Sequence, residues 1–379
     1  MLPLLEVVGI LVASVLVLVF HGGTIRLALA MITLGPAPPS LERTFDRVTA
    51  IVAARNEEAD LPGDLDSLLA QDYPALEIIV VDGGSTDRSR EIVRARAPRV
   101  RLIDEPPLPA GWVGKNWACH QGSLVATGSY LLFTDADVHY HPATVRTSVQ
   151  WAEAERADLV TLTPRLETVG FWEKVVVPFM AQVILTYFRT PRVNRADSRT
   201  AMANGQYLLI RKEAYDAIGG HAAVRGAVLE DVRIAQELRR LGRPMRVAWA
   251  PELISTRMYR DRRELFEGLL KNVHGTRFSL ARQVGFLVAL VGLFYLPLGV
   301  LPLGLAVGSW PLVAMGGFLY VALFAKHVGF ARGVRSDPRY GLLFPLAVGF
   351  YLVLVTSSIV RGVKRRPIEW KGRAYRREA

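Results

Sequence analysis

Apolar residues are spread unevenly along this chain, and that unevenness restricts its possible folds more than any other feature. Val7 to Phe20 is apolar or small throughout, and Ile25 to Leu34 continues the character after His21-Gly22-Gly23. Near the other end lie Val284 to Gly308, Trp310 to Phe330 and Gly341 to Val360. Each is about as long as the ~20 residues a helix needs to cross a bilayer core. Residues 40–280 instead read as a soluble domain. The organisation expected is an N-terminal membrane anchor over 1–34, a soluble domain over 46–275, membrane segments over 284–360 and a basic tail over 361–379.

Ala28-Leu29-Ala30 resembles a signal-peptide cleavage site, yet the opening Met-Leu-Pro-Leu-Leu-Glu carries no positive charge. An uncleaved anchor is therefore expected. Pro297 and Pro302 make the first C-terminal segment a candidate for a kinked or re-entrant passage. Three full crossings would carry the Arg-rich tail to the side opposite the soluble domain, against the positive-inside tendency. That Pro-broken segment is the one expected not to span fully.

The formal charge of +11 includes Lys364-Arg365-Arg366, placed directly after an apolar span. Such a run suits anionic headgroups, whereas a nucleic-acid surface would interleave basic and aromatic residues on a soluble face. A lipid bilayer is the expected partner, and nucleic acid is not. Cys119 is the only cysteine, which excludes an intrachain disulfide and a thiolate metal cluster. This fits a reducing, cytosol-facing domain on the cytoplasmic (inner) membrane.

Inside the soluble stretch, short apolar runs alternate with helical periodicity. Val48–Ala54, Ile78–Val81, Val100–Ile103 and Tyr130–Thr134 read as strands. Helices are expected at about Glu57–Ala70, after Ser85 and around Asn116–Ala126. The alternation indicates an α/β fold with a Rossmann-like, mainly parallel sheet, whose ligands bind at the carboxyl ends of the strands. Gly170 to Phe188 suits either a helix in the membrane interface or an ordinary core helix.

The polar motifs fall at those strand ends. Asp135-Ala-Asp137 follows the fourth strand, and two carboxylates at i and i+2 can share a divalent ion. Hard oxygens suit Mg²⁺ or Mn²⁺, which in turn neutralise a diphosphate. By itself the triplet equally describes a solvated loop. Asp82-Gly-Gly-Ser-Thr-Asp87 ends the second strand, where glycines admit a ligand and Asp82 can accept hydrogen bonds from a base or ribose. Ser85 or Thr86 capping the next helix is a further reading. Ala53-Ala54-Arg55-Asn56-Glu57-Glu58 ends the first strand and either touches a base or simply opens a helix.

Taken in order with Leu229-Glu230-Asp231, these stretches resemble the inverting family 2 glycosyltransferases of GT-A fold. The resemblance covers roughly residues 46–275. Gly111-Trp-Val-Gly-Lys115-Asn-Trp-Ala118 looks like the motif of the lipid-acceptor branches, among them ceramide, carotenoid and hopanoid-associated transferases. The terminal membrane segments and the tail Trp370-Lys-Gly-Arg373-Ala-Tyr375 resemble the last two. The resemblance implies a nucleotide-sugar donor, a UDP-hexose foremost, and a membrane lipid acceptor. It assigns Ala54, Glu57 and Asp82 to the nucleoside, and Asp135 to ribose, diphosphate and metal. Asp137 becomes a metal ligand, Lys115 lies near the phosphates or acceptor, and Asp231 is the general base that attack on the anomeric carbon requires. Glu230 is the competing base.

Two departures follow. Gly83 stands where many relatives have Asp, so the nucleoside contact rests on Asp82 alone or on Asp87. The Gln-x-x-Arg-Trp of processive synthases is replaced by Arg257-Met-Tyr-Arg260-Asp261. Arg257 and Arg260 either face the diphosphate or are surface charges, and the missing Trp favours one sugar over polymerisation. A polysaccharide or polyprenyl-phosphate-sugar synthase, or a non-catalytic scaffold, are the other readings. Asn204-Gly205-Gln206 either lines the acceptor site or is a plain turn. His221 and His274 are left out of the site.

Overall fold

A computed structural model describes residues 4–38, 46–275, 278–364, 368–370 and 373–375. The chain divides into two compact units. One comprises Met31–Glu167 and Phe188–Met258; the other comprises Met1–Ala30, Thr168–Tyr187 and Tyr259–Ala379. Arg365 and Arg366 lie outside the described residues, as do residues 367, 371–372 and 376–379 of the basic tail.

The first unit is built on ten strands: β1 (Val48–Ala54), β2 (Leu76–Asp82), β3 (Arg101–Asp104), β4 (Tyr130–Asp135), β5 (Val138–Tyr140), β6 (Leu159–Thr163), β7 (Arg165–Leu166), β8 (Leu208–Arg211), β9 (Met245–Trp249) and β10 (Ile254–Thr256). Seven form one sheet in the order β3-β2-β1-β4-β8-β6-β9, and β5-β10-β7 form a small second sheet. The first four strands of the large sheet run parallel. β8 is antiparallel to both β4 and β6, so the sheet is GT-A-like and mixed, with the parallel half expected from sequence on one side.

β1 lies at the centre of that half and is almost wholly buried, as an apolar run covered on both faces must be. Val48, Ala50 and Val52 pack with Leu61, Leu65 and Leu68 of the helix Leu61–Leu69. Ile51 faces the opposite side, toward Ala118 and Cys119 of the helix Gly114–Val125. A Cβ on Gly122 of that helix would lie 2.4 Å from Ile51 Cγ2, so only glycine permits this approach. Each fully buried Leu contributes roughly 1.5–3 kcal/mol.

Register is what gathers the site. Ala54 pairs with Asp82, Asp82 with Asp104, and Ala53 with Asp135, so four neighbouring strands end in line. The helix expected from Glu57 starts only at Leu61. Residues 57 and 58 spend their N–H groups on the neighbouring loop instead of on a first helical turn.

The second unit is helical. Leu4–Leu29 is one uninterrupted helix, so His21-Gly22-Gly23 does not break it. Phe171–Phe188 is an 18-residue helix with Pro178 inside, and it joins Arg262–Gly275 in this unit apart from its last residue. Leu280–Leu290 and Leu296–Val307 are joined by a π turn at Val291–Tyr295. Pro297 brings no N–H, and the carbonyl of Leu293 one turn back is met instead by His21 Nε2 at 2.9 Å. Trp310–Gly333 and Phe344–Val363 follow. Among the described residues, five helices are long and apolar enough to cross a membrane: Leu4–Leu29, Phe171–Phe188, Leu280–Val307, Trp310–Gly333 and Pro338–Val363. Glycines bring two of these together, since a Cβ on Gly316 would fall 2.4 Å from Leu301 N.

Candidate active site

Two loops at the ends of β1 and β2 hold each other. Asn56, at φ +53°, donates its N–H to Ser85 Oγ at 2.9 Å, and its Oδ1 accepts from Thr86 N at 2.8 Å. Glu57 N donates to Ser89 Oγ at 2.9 Å and Glu58 N to Asp87 Oδ2 at 3.0 Å. Arg88 N returns a bond to Glu58 Oε2 at 3.1 Å. Asp87 is thus a structural acceptor. Partial burial alone would raise its pKa, but the hydrogen bonds from Ser89 and Glu58 hold it below the usual carboxylate value.

Asp82 is buried at the mouth between these loops and accepts Gly84 N at 3.2 Å and Ser85 N at 3.1 Å. Gly84, at φ +78°, is where the turn requires glycine. Arg90 Nε stands 3.7 Å from Asp82 and also pairs with Asp104. Ala54 is buried and its carbonyl accepts Gly83 N at 2.8 Å. Of the nucleoside candidates, Glu57 is half-buried and within this same loop pair.

A second cluster joins residues distant in the chain. Lys115, in the first turn of the helix Gly114–Val125, places Nζ 2.6 Å from Asp135 Oδ1 and 2.9 Å from Glu230 Oε1. Glu230 and Asp231 open the helix Glu230–Arg240, where acids suit the positive end of the helix dipole. Asp231 Oδ2 accepts Gly205 N at 2.7 Å, and its Oδ1 accepts the N–H of Val232 at 2.7 Å. Asn116 anchors the Lys115 helix by donating to the carbonyls of Val224 and Ala227, each at 2.9 Å.

These neighbours set the electrostatics. Burial, followed by the negative charge of Glu230, pushes Asp231 up to about 7, against the opposing pull of Lys115 and two backbone N–H bonds. Burial alone would lower Lys115, but Asp135 and Glu230 outweigh it and hold the ammonium well above its usual pKa. The site therefore combines a fixed cation with a carboxyl poised near neutrality.

Gly205 is the residue that sequence reasoning undervalued. A Cβ there would lie 2.8 Å from Lys115 Nζ and 3.4 Å from both Asp231 Oδ2 and Glu230 Oε1. Gly205→Ala is therefore expected to leave the melting temperature nearly unchanged, because the ammonium is the end of a flexible side chain. It should cut kcat by roughly tenfold by displacing that ammonium. Steady-state kinetics beside a thermal melt check both halves of this expectation.

Asp64 was not foreseen at all. It is wholly buried in the helix Leu61–Leu69, with neither carboxylate oxygen hydrogen-bonded. Burial, then the charges of Asp137, Asp135 and Glu57, drive its pKa well above the usual value. The available signal was an acid on the apolar stripe formed by Leu61, Leu65 and Leu68. Its helix packs on β5, which begins directly after Asp137: Tyr140 N donates to Ser67 Oγ at 3.1 Å. Negative potential is thus concentrated at the end of β4, and its oxygen donors fit a hard divalent cation. Among the described residues, no three His, Cys, Asp or Glu side chains gather closely enough to hold an ion unaided.

The remaining candidates divide. Asp137 is half-buried just beyond β4. Arg257 directly follows β10 in the sheet unit, while Arg260 belongs to the helical unit and its N–H donates to Glu264 at 2.7 Å. His221 is a core residue, buried against Phe133, with Nδ1 2.8 Å from the Tyr215 hydroxyl. Burial, then Lys115 and His120, lower its pKa to about 3. His274 lies on Arg262–Gly275 of the helical unit.

Comparison with known proteins accords with this geometry. Residues 49–219 match Glycosyl transferase family 2. The 4,4'-diaponeurosporenoate glycosyltransferase of Staphylococcus aureus strain USA300 is 27% identical over 344 residues, covering 86% of this chain and 88% of the relative. Its counterpart in strain MRSA252 is 26% identical over 341 residues, with the same coverage. Among solved structures, the mannosyltransferase PcManGT from Pyrobaculum calidifontis, in complex with GDP-Man and Mn²⁺, superposes with a TM-score of 0.52 at 17% identity. That likeness covers 93% of this chain and 99% of the other, and is one of fold. Residues 49–219 are thus a family 2 glycosyltransferase domain, and the chain is a glycosyltransferase.

Proposed function

We propose that the chain moves one sugar from a nucleoside-diphosphate sugar, a UDP-hexose, to a hydroxyl of a membrane lipid, inverting the anomeric centre. The observation that carries this reading is the Lys115 ammonium held between Asp135 and Glu230, with Asp231 pinned beside it by Gly205. Asp82, with Glu57 and the Ala54 strand end, receives the nucleoside between the interlocked loops. Lys115 meets the negative charge that grows on the diphosphate as the sugar–phosphate bond breaks. Asp231 takes the acceptor's proton as its oxygen attacks the anomeric carbon. Its elevated pKa suits a base working near neutrality.

Asp135 and Asp137 would hold a divalent ion, Mg²⁺ or Mn²⁺, which when bound offsets diphosphate charge. Arg257 is a further candidate for the diphosphate. Five apolar helices among the described residues support a membrane-held enzyme, which on this reading works from the cytosolic side of the inner membrane. The relatives' named substrate, diaponeurosporenoate, suits a lipid acceptor.

The test is to incubate membranes containing the full chain with radiolabelled UDP-glucose. Label should enter the organic phase on a product carrying one sugar. Label found only in a water-soluble polymer, or no transfer from any nucleoside-diphosphate hexose, overturns the reading.

A further inference from the structure

A row of arginines that the functional reading leaves unused follows the helix Phe171–Phe188. Ile184 and Tyr187 are exposed at the end of that apolar helix, and Arg189, Arg192, Arg195 and Arg199 come next in the chain. Apolar helix, then exposed Tyr, then basic residues is the order in which a chain leaves a bilayer for water.

The spacing of the arginines matches the local backbone. Thr190–Asn194 is a 3₁₀ helix, with Arg189 just before it and Arg195 just after. At three residues per turn, side chains three positions apart share a face. Thr190 and Val193 make the inner row, 2% and 0% exposed, while Arg189, Arg192 and Arg195 make the outer, exposed row. Val193 and Phe188 belong to the core of the sheet unit. Asn194 ties the turn to β9, accepting Val247 N at 2.7 Å and donating to Val247 O at 2.9 Å. Arg239 holds the same segment by donating to the carbonyls of Val193 and Thr200.

Most of the exposed charge is uncompensated. Arg195 pairs with Asp197 at 2.8 Å, but an exposed pair of this kind is weak. Among the described residues, Arg189, Arg192 and Arg199 have no ion-pair partner. No aromatic residue lies between them to stack on a nucleic-acid base. Guanidinium groups are weakly hydrated and match phosphate oxygens two at a time.

We propose that Arg189, Arg192 and Arg199 form a binding surface for the phosphates of anionic phospholipid headgroups. The inference rests on the membrane reading above and not on sugar transfer.

The experiment uses the full chain in phosphatidylcholine nanodiscs that carry a trace of diazirine-tagged phosphatidylglycerol. Label should fall on residues 187–200. Excess unlabelled phosphatidylglycerol should suppress it, whereas excess phosphatidylethanolamine, of no net charge, should not. Each arginine near an anionic surface strengthens binding about fivefold, so Arg192→Gln should lose that factor and the triple Arg→Gln variant at 189, 192 and 199 roughly 100-fold. Arg→Lys at the same three positions keeps the charge and should restore labelling, which a packing role of the arginine stems would not give. The melting temperature should stay unchanged throughout, since these side chains are exposed and unpaired.

Equal competition by phosphatidylethanolamine, or undiminished labelling in the triple Arg→Gln variant, overturns the proposal, and the competition needs no variant to fold. Suppression of labelling by UDP-glucose also overturns it, by assigning the arginines to the donor. Sugar transfer to lipid with residues 187–200 unlabelled defeats only this inference. Labelling as expected without any transfer defeats only the functional reading.

Discussion

Asp231→Asn should lower kcat by about 10³-fold while leaving the donor KM within a small factor, the loss expected for removing a general base. The pH profile gives the sharper result. Asp231 is pushed up to about 7, so the wild-type rate should climb with pH and level off above that value. Burial and Glu230 raise this pKa, and Lys115 lowers it. Glu230→Gln should therefore move the midpoint down, and Lys115→Met should move it up. Were Glu230 the base instead, Glu230→Gln would abolish activity and Asp231→Asn would spare it. Stability runs the opposite way to rate. A carboxyl whose native pKa exceeds its ordinary 3.8 binds more protons folded than unfolded between the two values. Its contribution is complete at the acid end and disappears as pH rises through about 7, a slope absent from Asp231→Asn protein.

Asp137→Ala should remove the dependence on divalent cations together with most of the activity. A metal-borne charge is worth several kcal/mol at a developing diphosphate, so the rate falls by roughly 10² or more. The direct measurement is Mn²⁺ titration followed by electron paramagnetic resonance. Wild-type protein with UDP should bind the ion, and the variant should leave it free. Retention of Mn²⁺ by Asp137→Ala protein at wild-type affinity removes Asp137 from the site. Beyond burial, it is the charges of Asp137, Asp135 and Glu57 that raise the Asp64 pKa, and a bound cation would offset that potential. Added Mn²⁺ with UDP should accordingly raise the melting temperature of wild type and not of the variant.

The parallel half of the sheet was legible because four apolar runs each stop at, or just before, a polar motif, and register then aligns those stops. The direction of β8 was not. A buried run such as Leu208–Arg211 has the same pattern whichever way it points. The Lys115–Glu230 pair joins residues 115 positions apart in the numbering, and no local spacing announces it. Asn204-Gly205-Gln206 looked like an ordinary turn because the use of Gly205 lies in its bare backbone N–H and in the space a Cβ would take from Lys115. Arg257 and Arg260 seemed one motif by spacing, yet the chain passes from one unit to the other between them.

The mutual hold of the Asn56–Glu58 and Ser85–Ser89 segments has a kinetic consequence. A donor arriving at that crevice finds its walls already rigid, so little disorder has to be frozen on association. Binding there should resemble a key entering a cut lock, quick to form and quick to release, with donor turnover governed by direct contacts and not by the closing of a flap.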